Sequence, residues 1–285
     1  MATSGGRPAR YAVSGRTGRT VAGAALGWVV LGLAGGVAGA PPAAAASHSA
    51  LAAAAVPAGP QLFVGDFETG DFSQWGTCQT ATVNSGCAGF ARGDRTMRIV
   101  TDDVRQGRYA AQFDLRPGDV PDFGGGERAE VQSDASGAVV HEGDERWYQW
   151  SMKFPADFEN PTGVWFIVMQ WHAGRGSPPL AINISNDGTV DIGGDGLKGE
   201  PRRTIGPVRR GEWVDYTLHV KFSRDRSGGF VEAWENDEQT VPRTARASMT
   251  SDENYLKQGI YRDSGPATSV RIDGLRVTAP GVTLP

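Results

Sequence analysis

The feature that most constrains this chain is what it lacks: no stretch after about residue 60 sustains a 3.6-residue apolar period. Apolar residues fall instead in short alternating or continuous runs, separated by Gly, Asp, Asn and Pro. Runs of this length and spacing read as strands. They lie near 61–67, 96–101, 108–115, 127–133, 146–154, 164–172, 179–185, 189–192, 213–222, 229–235, 258–261 and 269–277. The 40 glycines and 17 prolines supply the turns that so many short strands require. The pattern predicts an all-β sandwich or jelly roll with no internal repeat.

Alternation assigns faces. In 146–154, Tyr148, Trp150, Met152 and Phe154 share the side expected to meet the core, and Trp147, Gln149, Ser151 and Lys153 share the other. In 164–172, Trp165, Ile167, Met169 and Trp171 are expected on one face and Val164, Phe166, Val168, Gln170 and His172 on the other. That strand is apolar on both faces until its end, so it is expected to be central.

The N-terminal end has a different character. Arg7, Arg10, Arg16 and Arg19 precede an uncharged Ala/Gly/Val/Leu stretch that ends in Pro41-Pro42 and Ala43 to Ala46. A basic start, an apolar middle and an Ala-x-Ala end predict a secretory signal over 1–46, followed by an Ala-rich linker over 47–60 and one β domain over 61–285. Removing the leader takes 28 Lys and Arg down to 24 against 32 Asp and Glu, so the net charge moves from −4 to −8. That balance argues against nucleic acid as a partner, because such binding needs dense phosphate neutralisation. A monomer free of the membrane after leader removal is expected. Cys78 and Cys87, nine positions apart in an exported chain, predict a disulfide closing a short loop.

Three clusters carry polar groups suited to chemistry. Arg128, Glu130 and Gln132 share one face of a strand entered through Gly124-Gly125-Gly126. Gln170 and His172 share another face, roughly 7 Å apart at about 3.3 Å per residue. Lys257 and Tyr261 project to one side of an extended segment, past Gly259. Alone, each is a commonplace strand. Together they match an elimination across C4–C5 of a uronate. Arg, Gln and Lys neutralise the carboxylate and so acidify the C5 proton. His takes that proton near neutral pH. Tyr, with an ordinary pKa of about 10, delivers a proton to the departing O4, helped by a nearby cation.

Four stretches also carry a family resemblance: Gly126 to Val131 (GERAEV), Trp147 to Pro155 (WYQWSMKFP), Met169 to His172 (MQWH) and Tyr255 to Arg262 (YLKQGIYR). With a weaker likeness over 213–235, the chain resembles the heparin lyase I-like polysaccharide lyases, which include glucuronan lyases. More loosely, it resembles the jelly-roll alginate lyases. The resemblance implies a β-jelly roll or concanavalin A-like sandwich with an open substrate groove, and endolytic cleavage of an anionic uronic-acid polysaccharide. By position it implies His172 as base, Tyr261 as acid, Lys257 as supporting cation, and Arg128 and Gln170 as carboxylate binders. In such folds the tyrosine can serve as both acid and base when proton and leaving group lie on one side of the ring. The chain has no room for the thumb domain of heparin lyase I and is acidic once mature, which favours a non-sulfated polymer such as glucuronan.

Further substrate contacts are expected from Glu130, Gln132, Arg202, Arg203 and Arg262. The chemistry needs no cofactor. Structural calcium occurs in several such enzymes, and Asp66, Glu68 and Asp273, on terminal strands, are candidate oxygen ligands. Gly194-Asp195-Gly196-Leu197-Lys198-Gly199 fits a dinucleotide fingerprint, but Glu200-Pro201 follows where a helix should start, so it reads as a loop. His141 and His219 have no evident partners. A glycoside hydrolase is disfavoured because no strand carries a tight alternating trio of acids. A non-catalytic carbohydrate-binding jelly roll would keep the aromatics without needing His172, Lys257 and Tyr261 together.

Overall fold

The computed structural model describes residues 59–90 and 93–281; the expected secretory leader and nearly all of the linker lie outside them. Seventeen strands form among the described residues: β1 (Gln61–Gly65), β2 (Thr77–Gln79), β3 (Asn84–Gly86), β4 (Met97–Val100), β5 (Ala110–Leu115), β6 (Glu127–Ser133), β7 (Val139–His141), β8 (Glu145–Lys153), β9 (Phe166–His172), β10 (Leu180–Ile184), β11 (Thr189–Gly193), β12 (Arg203–Pro207), β13 (Trp213–Lys221), β14 (Phe230–Glu235), β15 (Glu238–Ala245), β16 (Glu253–Arg262) and β17 (Thr268–Thr278). One short 3-10 turn, Cys87–Gly89, is the only helical element among them. No helix there is long and apolar enough to cross a membrane.

The strands make two antiparallel sheets. One runs β15-β14-β13-β8-β17-β5-β4, with β1 also on β17. The other runs β12-β11-β10-β9-β16-β6-β2-β3, with β7 also on β16. Their inner faces share one apolar core that includes Tyr148, Trp150 and Met152 of β8, Trp171 of β9, and Leu256 and Ile260 of β16. The all-β jelly-roll architecture expected from the sequence is therefore what forms. Strand β9 lies inside its sheet, as its two-sided apolarity implied.

Its face assignment needs a correction. Residues 169–172 alternate as expected, but the register shifts where Ile182 pairs with Met169 and the next residue, Asn183, pairs with Ile167. Val168 is thus an extra residue, a bulge that breaks alternation. Phe166 and Val168 consequently join Met169 and Trp171 in the core. Ile167 and Trp165 turn to the sheet's outer face.

Five strands escaped the sequence reading. Strands β12 and β15 are sheet edges with Pro207 and Pro242 and many polar residues; β3, a three-residue piece, is the opposite edge of its sheet, and β2 and β7 are equally short. Edge strands tolerate Pro and charge because one side needs no partner, and this erases the alternating signal.

Candidate active site

The outer face of the nine-stranded sheet collects the residues that the sequence singled out. The central strand is β16, between β6 and β9. Its register sets Lys257 beside Gln132 and Gln170, and Tyr261 beside Arg128 and Ile167. Tyr255 sits beside His172. Gly259 lies between Lys257 and Tyr261 with φ of +136°, and a Cβ there would collide with the Ala129 carbonyl. Only glycine fits this position.

Glu130 organises the cluster. It is 1% exposed. Its Oε2 accepts from Lys257 Nζ at 2.7 Å and pairs with Arg128 Nη1 at 3.2 Å, while Oε1 accepts from Gln170 Nε2 at 2.5 Å. Glu130 was expected to touch substrate; it is instead the buried brace that gathers three of the candidates on three strands, of which Gln170 is itself fully buried. Burial alone would raise its pKa, but Lys257 and Arg128 outweigh burial and hold the carboxyl below its ordinary range. Lys257 is 3% exposed, and burial pushes it down to about 8 against the pull of Glu130.

Arg128 sits over the Tyr261 ring, its guanidinium carbon 3.8 Å from the ring centroid and 5.4 Å from that of the exposed Phe123. Gln79 of β2 accepts from its Nη1 at 3.3 Å. The predicted disulfide is present: Cys78 is joined to Cys87, and Cys78 pairs with Val131 on β6. It ties the short strand that supplies Gln79. Tyr261 also packs edge-on against Trp165 at 4.4 Å, a neighbour that the bulge in β9 delivers.

His172 is half-buried at the end of β9. Its Nδ1 accepts from Tyr255 Oη and from Gly174 N, both at 3.0 Å; with Nδ1 an acceptor, Nε2 carries the proton and donates to Gly176 O at 3.1 Å. Burial, reinforced by the charge of Lys257, lowers its pKa. The ring is therefore neutral near pH 7, with Nδ1 as the basic nitrogen. Tyr255 was not foreseen as functional. In the sequence it is an ordinary aromatic in a strand, and only its pairing with His172 reveals a role.

Other expected contacts separate. Gln132 stands on the same face as Lys257. Arg202 lies at the rim of a neighbouring pocket. Arg203 pairs in register with the core residue Ile192, so its side chain leaves on the opposite face. Arg262 is likewise turned away and buried, donating to Glu127 at 2.8 Å and to the Gly265 carbonyl. Alternation along β16 made this inevitable once Tyr261 faced outward.

The candidate calcium ligands do not assemble. Asp66 accepts from Gln74 Nε2 and the Glu68 amide, Glu68 accepts from the Arg108 and Tyr109 amides, and Asp273 accepts from those of Arg105 and Gln106. Among the described residues, no group of three or more His, Cys, Asp or Glu is placed to hold a metal ion. His219, expected to lack partners, bridges Glu232 and Glu145 at 2.6 and 2.8 Å and stacks on Trp147.

The family model described as polysaccharide lyase matches residues 67–276, most of the chain and all of the site. The chain belongs to the polysaccharide lyase family. It is an enzyme of that class, and its expected kinship with jelly-roll lyases holds. An endo-β-1,4-glucuronan lyase from the fungus Trichoderma reesei superposes with a TM-score of 0.57 at 18% identity, covering 77% of this chain and 96% of that one. A family 7 alginate lyase in complex with product gives 0.55 at 15%, covering 75% and 99%. The catalytic domain of a glycoside hydrolase family 131 protein from Coprinopsis cinerea gives 0.52 at 14%, covering 79% and 99%. At these identities the superpositions establish the fold alone; the hydrolase shows that the fold does not choose the reaction. No curated protein matches the chain.

Proposed function

We propose that this lyase is exported and cleaves a uronic-acid polysaccharide endolytically by β-elimination, with glucuronan the favoured substrate. The observation that carries the reading is the fan of Lys257, Gln170 and Arg128 gathered on Glu130, beside Tyr261 and on the face that ends in His172. Cationic and amide donors preorganised on a buried carboxylate suit a substrate carboxylate whose charge grows as C5 is deprotonated. His172 takes the C5 proton once its Nδ1 lone pair is released from the Tyr255 and Gly174 donors. The electron pair forms the C4–C5 double bond, the C4–O4 bond breaks, and Tyr261 protonates the departing oxygen. Where proton and leaving group share one side of the ring, Tyr261 performs both transfers.

The choice of polymer rests on charge and on the fold neighbours. The acidic balance left by leader removal disfavours a highly sulfated substrate. One superposed neighbour is a glucuronan lyase and another an alginate lyase. The basic, then apolar, then Ala-x-Ala leader supports export. The test is a panel of glucuronan, alginate, hyaluronan and heparin, followed by the ultraviolet absorbance of unsaturated uronate. Absorbance should rise fastest with glucuronan. Binding without absorbance on every polymer would replace the reading with a carbohydrate-binding module.

A further inference from the structure

The outer face of the eight-stranded sheet lies across the core from the catalytic cluster, and the mechanism uses none of it. Cross-strand register shows what stands there. One row runs Arg276, Gln149, Thr217 and Trp234 across β17, β8, β13 and β14. The adjacent row sets Trp147 beside His219. Their chain neighbours Tyr148, Leu218, Ala233, Leu275 and Val277 point into the core, so alternation sends both rows outward. Trp147 stacks on His219 at 3.9 Å with the planes 9° apart, and Trp234 leans on Trp147 at 5.3 Å. His219 is itself fixed between Glu232 and Glu145. The two half-buried indoles therefore make a rigid apolar step on this face.

Beside the step is a cavity of about 210 Å³ whose lining includes Arg105, Gln149, Asp215, Thr217, Asp237 and Arg276. The indoles border it: Thr217 is the register partner of Trp234, and Gln149 lies two residues along β8 from Trp147. One wall is already satisfied. Arg105 grips Asp215 through two hydrogen bonds of 2.9 and 2.6 Å, and Ser151 Oγ donates to the same carboxylate at 2.7 Å. The other wall is open. Thr217 is 8% exposed and Arg276 is exposed. Among the described residues, the side chains of Thr217, Gln149 and Arg276 make no hydrogen bond or ion pair. Buried polar groups are ordinarily bonded, so an open set of hydroxyl, amide and guanidinium on one cavity wall is a place for a ligand.

We propose that this face is a second, non-catalytic binding site for the uronic-acid polymer, and the proposal rests on the uronan reading. One sugar ring enters the cavity, with its carboxylate on Arg276 and its hydroxyls on Gln149 and Thr217, and the next ring lies against the Trp147–Trp234 step. Apolar surface with a few placed polar groups is the usual make-up of such a site. Asp237 accepts from hydroxyls and opposes a denser anion, so one carboxylate per ring suits the wall better than sulfate esters. The two outer faces belong to sheets stacked about 10 Å apart, so a short oligomer occupies one face at a time while a polymer engages both. Joining two sites through one ligand raises its effective concentration at the second. The face therefore lowers KM for polymer and leaves the shortest substrates untouched.

The experiment measures retention of the Tyr261→Phe enzyme in a gel containing the panel polymer that wild type cleaves fastest, with and without Arg276→Glu or Trp234→Ala added. Each addition should weaken retention about fivefold or more. In otherwise wild-type enzyme, Arg276→Glu should raise KM on polymer by a similar factor and keep kcat/KM on the shortest cleavable oligomer within about twofold. Arg276 is exposed, so its replacement leaves the fold intact; the melting temperature of Trp234→Ala is checked alongside. Retention and polymer KM that match the parent enzymes in Arg276→Glu, or that change only in step with activity on the shortest oligomer, overturn the second site while the uronan reading stands. A sedimentation coefficient that drops in Arg276→Glu while retention holds gives the face to a second copy of the chain and overturns the site likewise. A wild type that neither binds nor cleaves any uronan overturns the reading, and the second site with it.

Discussion

Replacing Glu130 by glutamine keeps the shape of the brace and removes its charge. Lys257, already 3% exposed, then has an ammonium with no carboxylate at 2.7 Å, and Arg128 loses its 3.2 Å partner. Removing one member of a buried pair costs about 3–5 kcal/mol. Lys257 can relieve part of this by giving up its proton, because the attraction of Glu130 is what restrains its pKa from falling below about 8. The lower end of the range therefore applies. For a domain of this size about 3 kcal/mol corresponds to a fall of about 6–12 °C in melting temperature. Activity should fall by about a hundredfold or more, because the cations that meet the substrate carboxylate are both displaced and partly neutralised. Thermal denaturation and kcat/KM on glucuronan read both effects. Adding Lys257→Met to Glu130→Gln should recover much of the melting temperature and none of the activity. A Glu130→Gln enzyme melting within about 2 °C of wild type with unchanged kcat would refute the idea that this carboxylate organises the site.

Three further outcomes follow from the same geometry. The pH profile of kcat/KM should be bell-shaped: its rising limb lies below the ordinary histidine value of 6.5 because burial lowers His172, and its falling limb near pH 8 marks loss of charge on Lys257. Lys257→Arg should push that falling limb upward; an unmoved limb would assign it to another group. Tyr255→Phe removes the 3.0 Å hydrogen bond to His172 Nδ1 and should lower kcat about tenfold or more, with KM little changed and the rising limb displaced; a pure KM effect would place Tyr255 outside the proton-transfer machinery. Reducing Cys78–Cys87 opens a nine-residue separation, worth about 2–3 kcal/mol of denatured-state restriction, so it should lower the melting temperature and weaken the short strand β2 that holds Gln79 on Arg128. Equal melting curves with and without reductant would contradict this.

Alternation carried much of the site. Lys257 and Tyr261, or Arg128 and Glu130, share a face because two-residue steps always do, and the composition of β16 and β6 makes the outward side evident. What alternation could not reveal is depth: Glu130 and Gln132 have the same parity, yet one is sealed beneath Lys257 and the other is not. Nor could it reveal the bulge at Val168, which no local pattern announces, since every residue from 164 to 169 is apolar. That single register slip moved Trp165 from the expected core side to Tyr261. The two arginines that left the site, Arg203 and Arg262, were chosen for charge alone; their register partners Ile192 and Phe166 show that they stand on the core-facing parity.

The central claim is elimination rather than hydrolysis, and the products formed in heavy-oxygen water test it most directly. The account predicts that wild-type enzyme acting on glucuronan yields fragments with an unsaturated non-reducing end and no solvent oxygen in either product, and that His172→Ala and Tyr261→Phe each abolish most of this turnover. Fragments carrying one heavy oxygen per cleavage and no unsaturation would contradict it.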